Sequence, residues 1–120
     1  MSGKRSRDKG ARGERHLVNY LQGEAFAAER VPLSGAMGGR FGADVSIPVL
    51  GVDRRGEVKV RANGFKQIYD WLTPDVDYLF HKSDRNEWLV TLRLRDGIEI
   101  VKHAEGRRDG SKATIQADTV

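Results

Sequence analysis

From Gly56 to Arg61 the sequence reads GEVKVR, with charged and apolar residues in strict alternation. A backbone whose side chains alternate faces puts Glu57, Lys59 and Arg61 on one side and Val58 and Val60 on the other. The pattern predicts a strand over 56–61 with one packed face, and so a sheet for it to join. Its nearest partner is DVSIPVL at 44–50, and the two form a hairpin whose turn falls between Pro48 and Gly56. The open ends of an antiparallel pair are neighbours, so Asp44 and Glu57 converge although thirteen residues separate them.

The rest of the chain supplies what covers such a sheet. Glu14, Leu17, Val18 and Leu21 keep the spacing of one helix face, which predicts a helix from Ala11 to Gly23–Ala25. AAERVP (27–32) reads as a short strand stopped by Pro32. LSGAMGGRFGAD holds four glycines between residues 35 and 42, which predicts a mobile loop. A second helix follows Asn63, with Phe65, Ile68, Trp71 and Leu72 as its apolar face. VDYLFHK (76–82) and EWLVTL (87–92), separated by SDRN, read as a closing hairpin, and RDGIEIVKHA as a last helix. The order α-β-β-β-α-β-β-α implies an α/β fold, a central mixed β-sheet flanked by helices. Three segments follow: a basic arm over 1–10, a folded domain over 11–104, and a polar tail over 105–120 that composition leaves ordered or disordered. There is no internal repeat.

Composition removes several function classes. At 120 residues the chain is long enough for one domain with its own core. The absence of cysteine excludes disulfides, thiolate metal sites and a cysteine nucleophile. No apolar run approaches a membrane span, and the basic start has no signal-peptide core, so a cytoplasmic protein is the expectation. The net charge is +4, and residues 1–15 concentrate Lys4, Arg5, Arg7, Lys9, Arg12 and Arg15 against Asp8 and Glu14 alone. Nucleic acid is the natural partner of such an arm, and a solvated tail is the plain alternative.

Two carboxylates brought together by a hairpin repel each other unless something offsets the charge. A hard divalent cation does so, and it prefers oxygen ligands. Lys59 projects from the same face as Glu57, where it could neutralise charge developing on a phosphoryl group. Glu14 extends the apolar stripe of the first helix and so faces inward, an uncommon place for an unpaired carboxylate. Three acids and a lysine are the set that metal-assisted phosphodiester hydrolysis requires. Each also has a plain reading: Glu-X-Lys is common on strands, Asp44 can cap a turn, and Glu14 can favour a helix N-terminus. His16, His81 and His103 lack metal-ligand spacing, and the glycine loop lacks the Gly-Lys-Ser/Thr ending of a P-loop.

Glu14, Asp44 and Glu57-Val58-Lys59 together resemble the PD-(D/E)XK nuclease superfamily, whose core is restriction-endonuclease-like. More narrowly, KGARGER (9–15), AERVPLSG (28–35), GADV (42–45) and EVKVR (57–61) resemble the archaeal-type Holliday junction resolvases and their phage relatives. The resemblance implies Mg²⁺ or Mn²⁺ held by Asp44, Glu57 and the Val58 carbonyl, with Glu14 completing the site through water. Lys59 would orient or activate the attacking water, and Ser34 would assist catalysis. Arg15 and Arg30 would contact DNA phosphates, joined by Lys4, Arg5, Arg7, Lys9, Arg12, Arg40 and Arg61. Ala43 stands where the motif has proline, at a position that supplies no ligand. Gln67 falls on a helix where some branches place an active-site glutamine; a solvent-facing residue is the plain reading.

The resemblance also implies a homodimer, two sites cutting opposed strands of a four-way junction and leaving 5′-phosphates. Phe65, Trp71, Tyr78 and Phe80 suit either a dimer surface or a core. Selectivity would rest on DNA shape, since nothing in the sequence reads as a base-reading element. Two other functions fit the same residues: a same-fold nuclease for flaps, bubbles or duplex, and a noncatalytic nucleic-acid-binding module.

Overall fold

The computed structural model describes residues 2–32 and 43–107. The glycine-rich loop with Ser34 and Arg40, and the tail from residue 108, lie outside the described residues, as do the side chains of residues 2, 3, 5, 6 and 7. The elements are α1 (Ser2–Gly23), β1 (Glu29–Arg30), β2 (Val45–Val49), β3 (Val52–Gly56), α2 (Lys66–Trp71), β4 (Tyr78–His81), β5 (Leu89–Leu92) and α3 (Leu94–Ala104). Their order is the expected one. The chain divides between Val60 and Arg61 into two compact units.

In the first unit, α1 begins at Ser2 and not at Ala11, so the residues read as a basic arm are already helical. Lysine and arginine are good helix formers and no proline interrupts them. The apolar period that marked the helix starts only where the core does. Among the described residues of this unit, Val18 and Leu21 of α1, with Phe26, Ala28 and Val45, are the buried apolar ones. The helix ends in a Schellman turn: Phe26 N–H donates to the Leu21 carbonyl and Ala25 N–H to that of Gln22. Ala25 takes the left-handed φ of 68° that this turn requires. The chain is thereby folded back, and Phe26 is buried.

β1, β2 and β3 form an antiparallel sheet in that spatial order, with Arg30 opposite Val45 and Val45 opposite Gly56. Val45 is fully buried, and a Cβ on Gly56 would stand 3.0 Å from its Cγ2, so glycine makes the room that valine fills. The hairpin turn is Leu50–Gly51, with φ of 54° and 78°, which follows the Val49–Val52 pair. Positive φ at both central residues is the two-residue turn that matches strand twist.

β3 covers Val52–Gly56, not 56–61, and residues 57–60 form no regular element. The ladder stops because the N–H of Val58 finds the side chain of Asp44 at 2.7 Å instead of a strand carbonyl. Of residues 57–60 only Val58 is half-buried, and Val60 is 43% exposed, yet both valines touch α1. A Cβ on Gly13 of α1 would lie 2.8 Å from Val60 Cγ2 and 3.7 Å from Val58 Cγ1, so the helix backbone rests on both valines. Glu57 and Lys59 are exposed.

In the second unit β4 and β5 pair antiparallel, and His81 Nε2 stands 3.2 Å from Thr91 Oγ1. Arg93 donates to the carbonyls of Val76, Leu72 and Thr73 at 3.0, 3.2 and 2.7 Å, tying the end of α2 to the β5–α3 junction. These are charge-assisted bonds to carbonyls of the segment that follows α2. Ile98 of α3 is buried. Of the face expected for α2, Phe65, Ile68 and Leu72 are half-buried, but Trp71 is exposed. Tyr78 and Phe80 are exposed, whereas Phe65 is half-buried. Among the described residues no helix is long and apolar enough to cross a membrane.

The close approach at Gly13 separates it from Gly10, which a Cβ would leave with nothing within 4 Å. Gly10→Ala should therefore stabilise by about 0.5–1 kcal/mol through helix propensity. Gly13→Ala should lose that gain, because Val60 must move. Urea denaturation of the two variants side by side checks this contrast; equal gains would mean that α1 does not rest on Val60.

Candidate active site

The site begins where the β2–β3 ladder ends. Asp44 precedes β2, and its backbone is tied on both sides: its N–H donates to the Gly56 carbonyl at 2.9 Å, and its carbonyl accepts the Val31 N–H at 3.0 Å. With the main chain held by two strands, the side chain has little freedom. Its Oδ2 accepts the Val58 N–H at 2.7 Å, a short amide-to-carboxylate bond of the charge-assisted kind. This bond sets the residues after Gly56 beside Asp44. Because β3 ends at Gly56 opposite Val45, Asp44 and Glu57 both lie just beyond the open end of the hairpin.

Lys59 Nζ stands 2.9 Å from Glu57 Oε2, with both side chains more than half exposed, at 54% and 55%. The hydrogen bond from Lys59, and then its positive charge, hold the Glu57 carboxyl below the usual carboxylate range, with slight desolvation opposing them. The two residues read as base and acid of one strand face are therefore an ion pair, formed across one intervening residue.

Glu14 is placed differently. It lies on the core side of α1, one turn before Val18, and its side chain is only 14% exposed. Its Oε1 accepts a hydrogen bond from Arg30 Nε at 3.1 Å. Among the described residues no three acidic or histidine side chains stand close enough to hold a metal together. The pairing of Glu14 with Arg30 is the feature that sequence reasoning missed. The partner lies sixteen residues away on another element, and no local pattern announces it.

The remaining candidates fall in several places. Lys4, Lys9, Arg12 and Arg15 are exposed on α1, whose backbone also carries Arg5 and Arg7. Lys9, Arg12 and His16 follow one another at three- and four-residue steps and form one stripe of the helix. Arg61 and Gln67 belong to the second unit and are exposed. Ser34 and Arg40 lie outside the described residues.

The donor chemistry at the hairpin end fits a hard divalent cation. Asp44 Oδ2 is engaged by the amide, which leaves Oδ1; the Glu57 carboxylate and the Val58 carbonyl add further oxygens. A cation such as Mg²⁺ is bound through one or two carboxylates while keeping positions for water and substrate phosphate, so two acids suffice without a third.

The Glu57–Lys59 pair carries a definite pH signature. A carboxylate with a lowered pKa keeps its partner above the usual carboxylate range and loses it as pH falls through the lowered value. Lys59→Ala should therefore raise the Glu57 pKa toward the ordinary value. A side-chain carboxyl NMR titration of the two proteins checks the shift, and an unmoved midpoint would show that the ion pair does not form in solution.

Compared with known proteins, the chain matches one family model, that of the archaeal Holliday junction resolvase, over residues 5–96. No curated protein and no solved structure matches it. The matched range contains Glu14, Arg30, Asp44, Glu57 and Lys59, together with every described element as far as the start of α3. The family is one of metal-dependent, DNA-cleaving nucleases that resolve four-way junctions, with an α/β fold in which helices flank a central mixed β-sheet. A match over that much of the sequence decides the assignment: the chain belongs to the archaeal Holliday junction resolvase family.

Proposed function

We propose that this chain is a structure-selective endonuclease that uses Mg²⁺ or Mn²⁺ to hydrolyse phosphodiesters in four-way DNA junctions, as a homodimer. The observation that carries the reading is the hairpin end, where the Asp44 carboxylate is fixed by the Val58 amide beside Glu57 and its ion-paired Lys59. Asp44, Glu57 and the Val58 carbonyl would hold the metal, which when bound polarises the phosphate and makes water a better nucleophile.

The other steps belong to the chain's own side chains. Asp44 cannot swing away, since its backbone and one carboxylate oxygen are all tied, so its remaining oxygen is preorganised. Lys59 brings an ammonium to the same place and offsets the charge that builds on the phosphoryl oxygens as water attacks. The new bond is between water oxygen and phosphorus, the broken one is between phosphorus and the 3′ oxygen, and the products are a 5′-phosphate and a 3′-hydroxyl. The exposed cations of α1 supply the sequence-independent attraction to phosphates that shape-selective binding needs. A two-fold substrate suits a two-fold enzyme, and the exposed Trp71, Tyr78 and Phe80 offer apolar area for subunit contact.

Cleavage of a labelled four-way junction with and without Mg²⁺ should give paired, symmetric nicks only with the metal. Asp44→Ala, Glu57→Ala and Lys59→Ala should each lower cutting by about a thousandfold while leaving junction binding measurable. Equal rates on junction and linear duplex would remove the junction preference. Metal-independent binding that survives Glu57→Ala, with no cleavage in any condition, would leave a noncatalytic DNA-binding module.

A further inference from the structure

We propose that Arg55 is a substrate-binding residue of the cleavage site, holding the DNA phosphate next to the one being cut from the same side of the chain as Glu57 and Lys59. The inference rests on the reading above that the chain cleaves DNA. It adds a residue that lies outside the motifs carrying the family resemblance.

The neighbours of Arg55 fix the side it occupies. A Cβ on Gly56 would stand 3.0 Å from Cγ2 of the buried Val45, and Val58 and Val60 meet α1 at Gly13. Positions 56, 58 and 60 thus take the packed side, which leaves 55, 57 and 59 the other. The Glu57–Lys59 ion pair, formed across one residue, shows the same alternation from that other side. In the ladder Arg55 stands opposite Ser46, and Ser46 opposite Glu29. Arg55 therefore precedes Glu57 by the two positions at which Lys59 follows it, about 7 Å along an extended backbone.

The two cations beside Glu57 differ in what they have left to give. Lys59 is engaged by the carboxylate at 2.9 Å. Arg55 is exposed, and among the described residues neither Asp53, Glu57 nor Glu29 bonds to it. Its five N–H donors are therefore open, in a planar fork that matches phosphate oxygens. With the phosphate to be cut held at Glu57 and Lys59, the next phosphate of the same DNA strand needs a cation one residue pair away, and Arg55 is placed there. Arg54 supplies the contrast. It pairs with Ile47, on the packed side of β3, and turns Nε back to the Val49 carbonyl at 3.5 Å. β3 is the outer strand of its sheet, and charge on an outer strand also discourages pairing with another chain. That use would be served by either arginine, so the adjacent pair forms an internal control.

The test sets Arg55→Ala beside Arg54→Ala in the full chain, since each removes one charge from the same strand. Binding to a four-way junction is read by fluorescence anisotropy without metal over a salt series, and single-turnover cleavage with Mg²⁺ at saturating protein. Arg55→Ala should weaken binding about tenfold and lower the salt slope by about one, the loss of one phosphate contact. Its rate on fully bound junction should fall by less than about tenfold, far short of the loss expected for Lys59→Ala. Arg54→Ala should bind within about twofold of wild type. Arg55→Lys keeps the charge but not the fork, so it should recover part of the binding. Arg55→Gln takes the place of Arg55→Ala should that variant not fold. A junction carrying a neutral methylphosphonate beside the mapped cleavage position should cost wild type about tenfold and Arg55→Ala little more. Equal losses in the two alanine variants would reduce Arg55 to net charge and overturn the contact. Wild-type binding with new self-association in Arg55→Ala, seen by light scattering, would leave it a guard of the strand edge. Should wild type bind the junction and cut no DNA, the nuclease reading fails, while a loss confined to Arg55→Ala still assigns the phosphate contact. Should wild type cut and Arg55→Ala bind as wild type does, the contact fails alone.

Discussion

The hydrogen bond from the Val58 amide to Asp44 Oδ2 is the contact on which the arrangement of the site depends. It sits where backbone pairing of β2 with β3 runs out, and a side chain takes over the role that a strand carbonyl would have played. One result is that the chain beyond Gly56 leaves the ladder without leaving Asp44. Another is that Asp44 has one oxygen committed to structure and one left for chemistry. An unpaired amide in that half-buried position would carry a desolvation cost, so the bond is favoured on both sides. The valines on either side of Lys59 then fall against the glycine surface of α1, and Glu57 and Lys59 are presented away from it.

Much of this was legible in the sequence, because it follows from short-range pattern. The valines at 58 and 60 do meet α1 at Gly13, and the hairpin does bring Asp44 to the backbone of Gly56 and Val58, although through a strand at 52–56 and not at 56–61. The end of β3 was not legible, since alternation cannot tell whether an amide bonds to a backbone or to a side chain. The turn was hidden for another reason. Leu50 adopts a φ of 54°, a conformation that favours Asn, Asp or Gly, so nothing in SIPVLGVD marks its position except Gly51. The start of α1 was missed because residues 2–10 bear charge without apolar period, and periodicity reports packing, not helicity itself.

Partnership across the chain was the least readable part. Glu14 was recognisable as an inward carboxylate, and that alone demanded a counter-charge. Sequence offered a metal as the candidate because Asp44 and Glu57 had already been drawn to the same place. The fold adds Arg30 as a partner, carried by a two-residue strand whose register against β2 no local pattern could fix. The same holds for Arg93, whose three carbonyl partners are scattered between Leu72 and Val76.

The two cationic partners in the site differ in kind, and the difference bears on how such a centre can work. Lys59 and Glu57 are both more than half exposed, so their attraction is screened, and either partner can be exchanged for a metal or a phosphate at small cost. Glu14 and Arg30 meet where the acid is largely withdrawn from water, so separating them would strand a charge. An exchangeable pair is suited to the place where ligands arrive and depart during turnover. A pair that resists exchange is suited to holding geometry while they do. On that physical ground the Glu57–Lys59 pair is the exchangeable one and the Glu14–Arg30 pair the one that keeps its geometry.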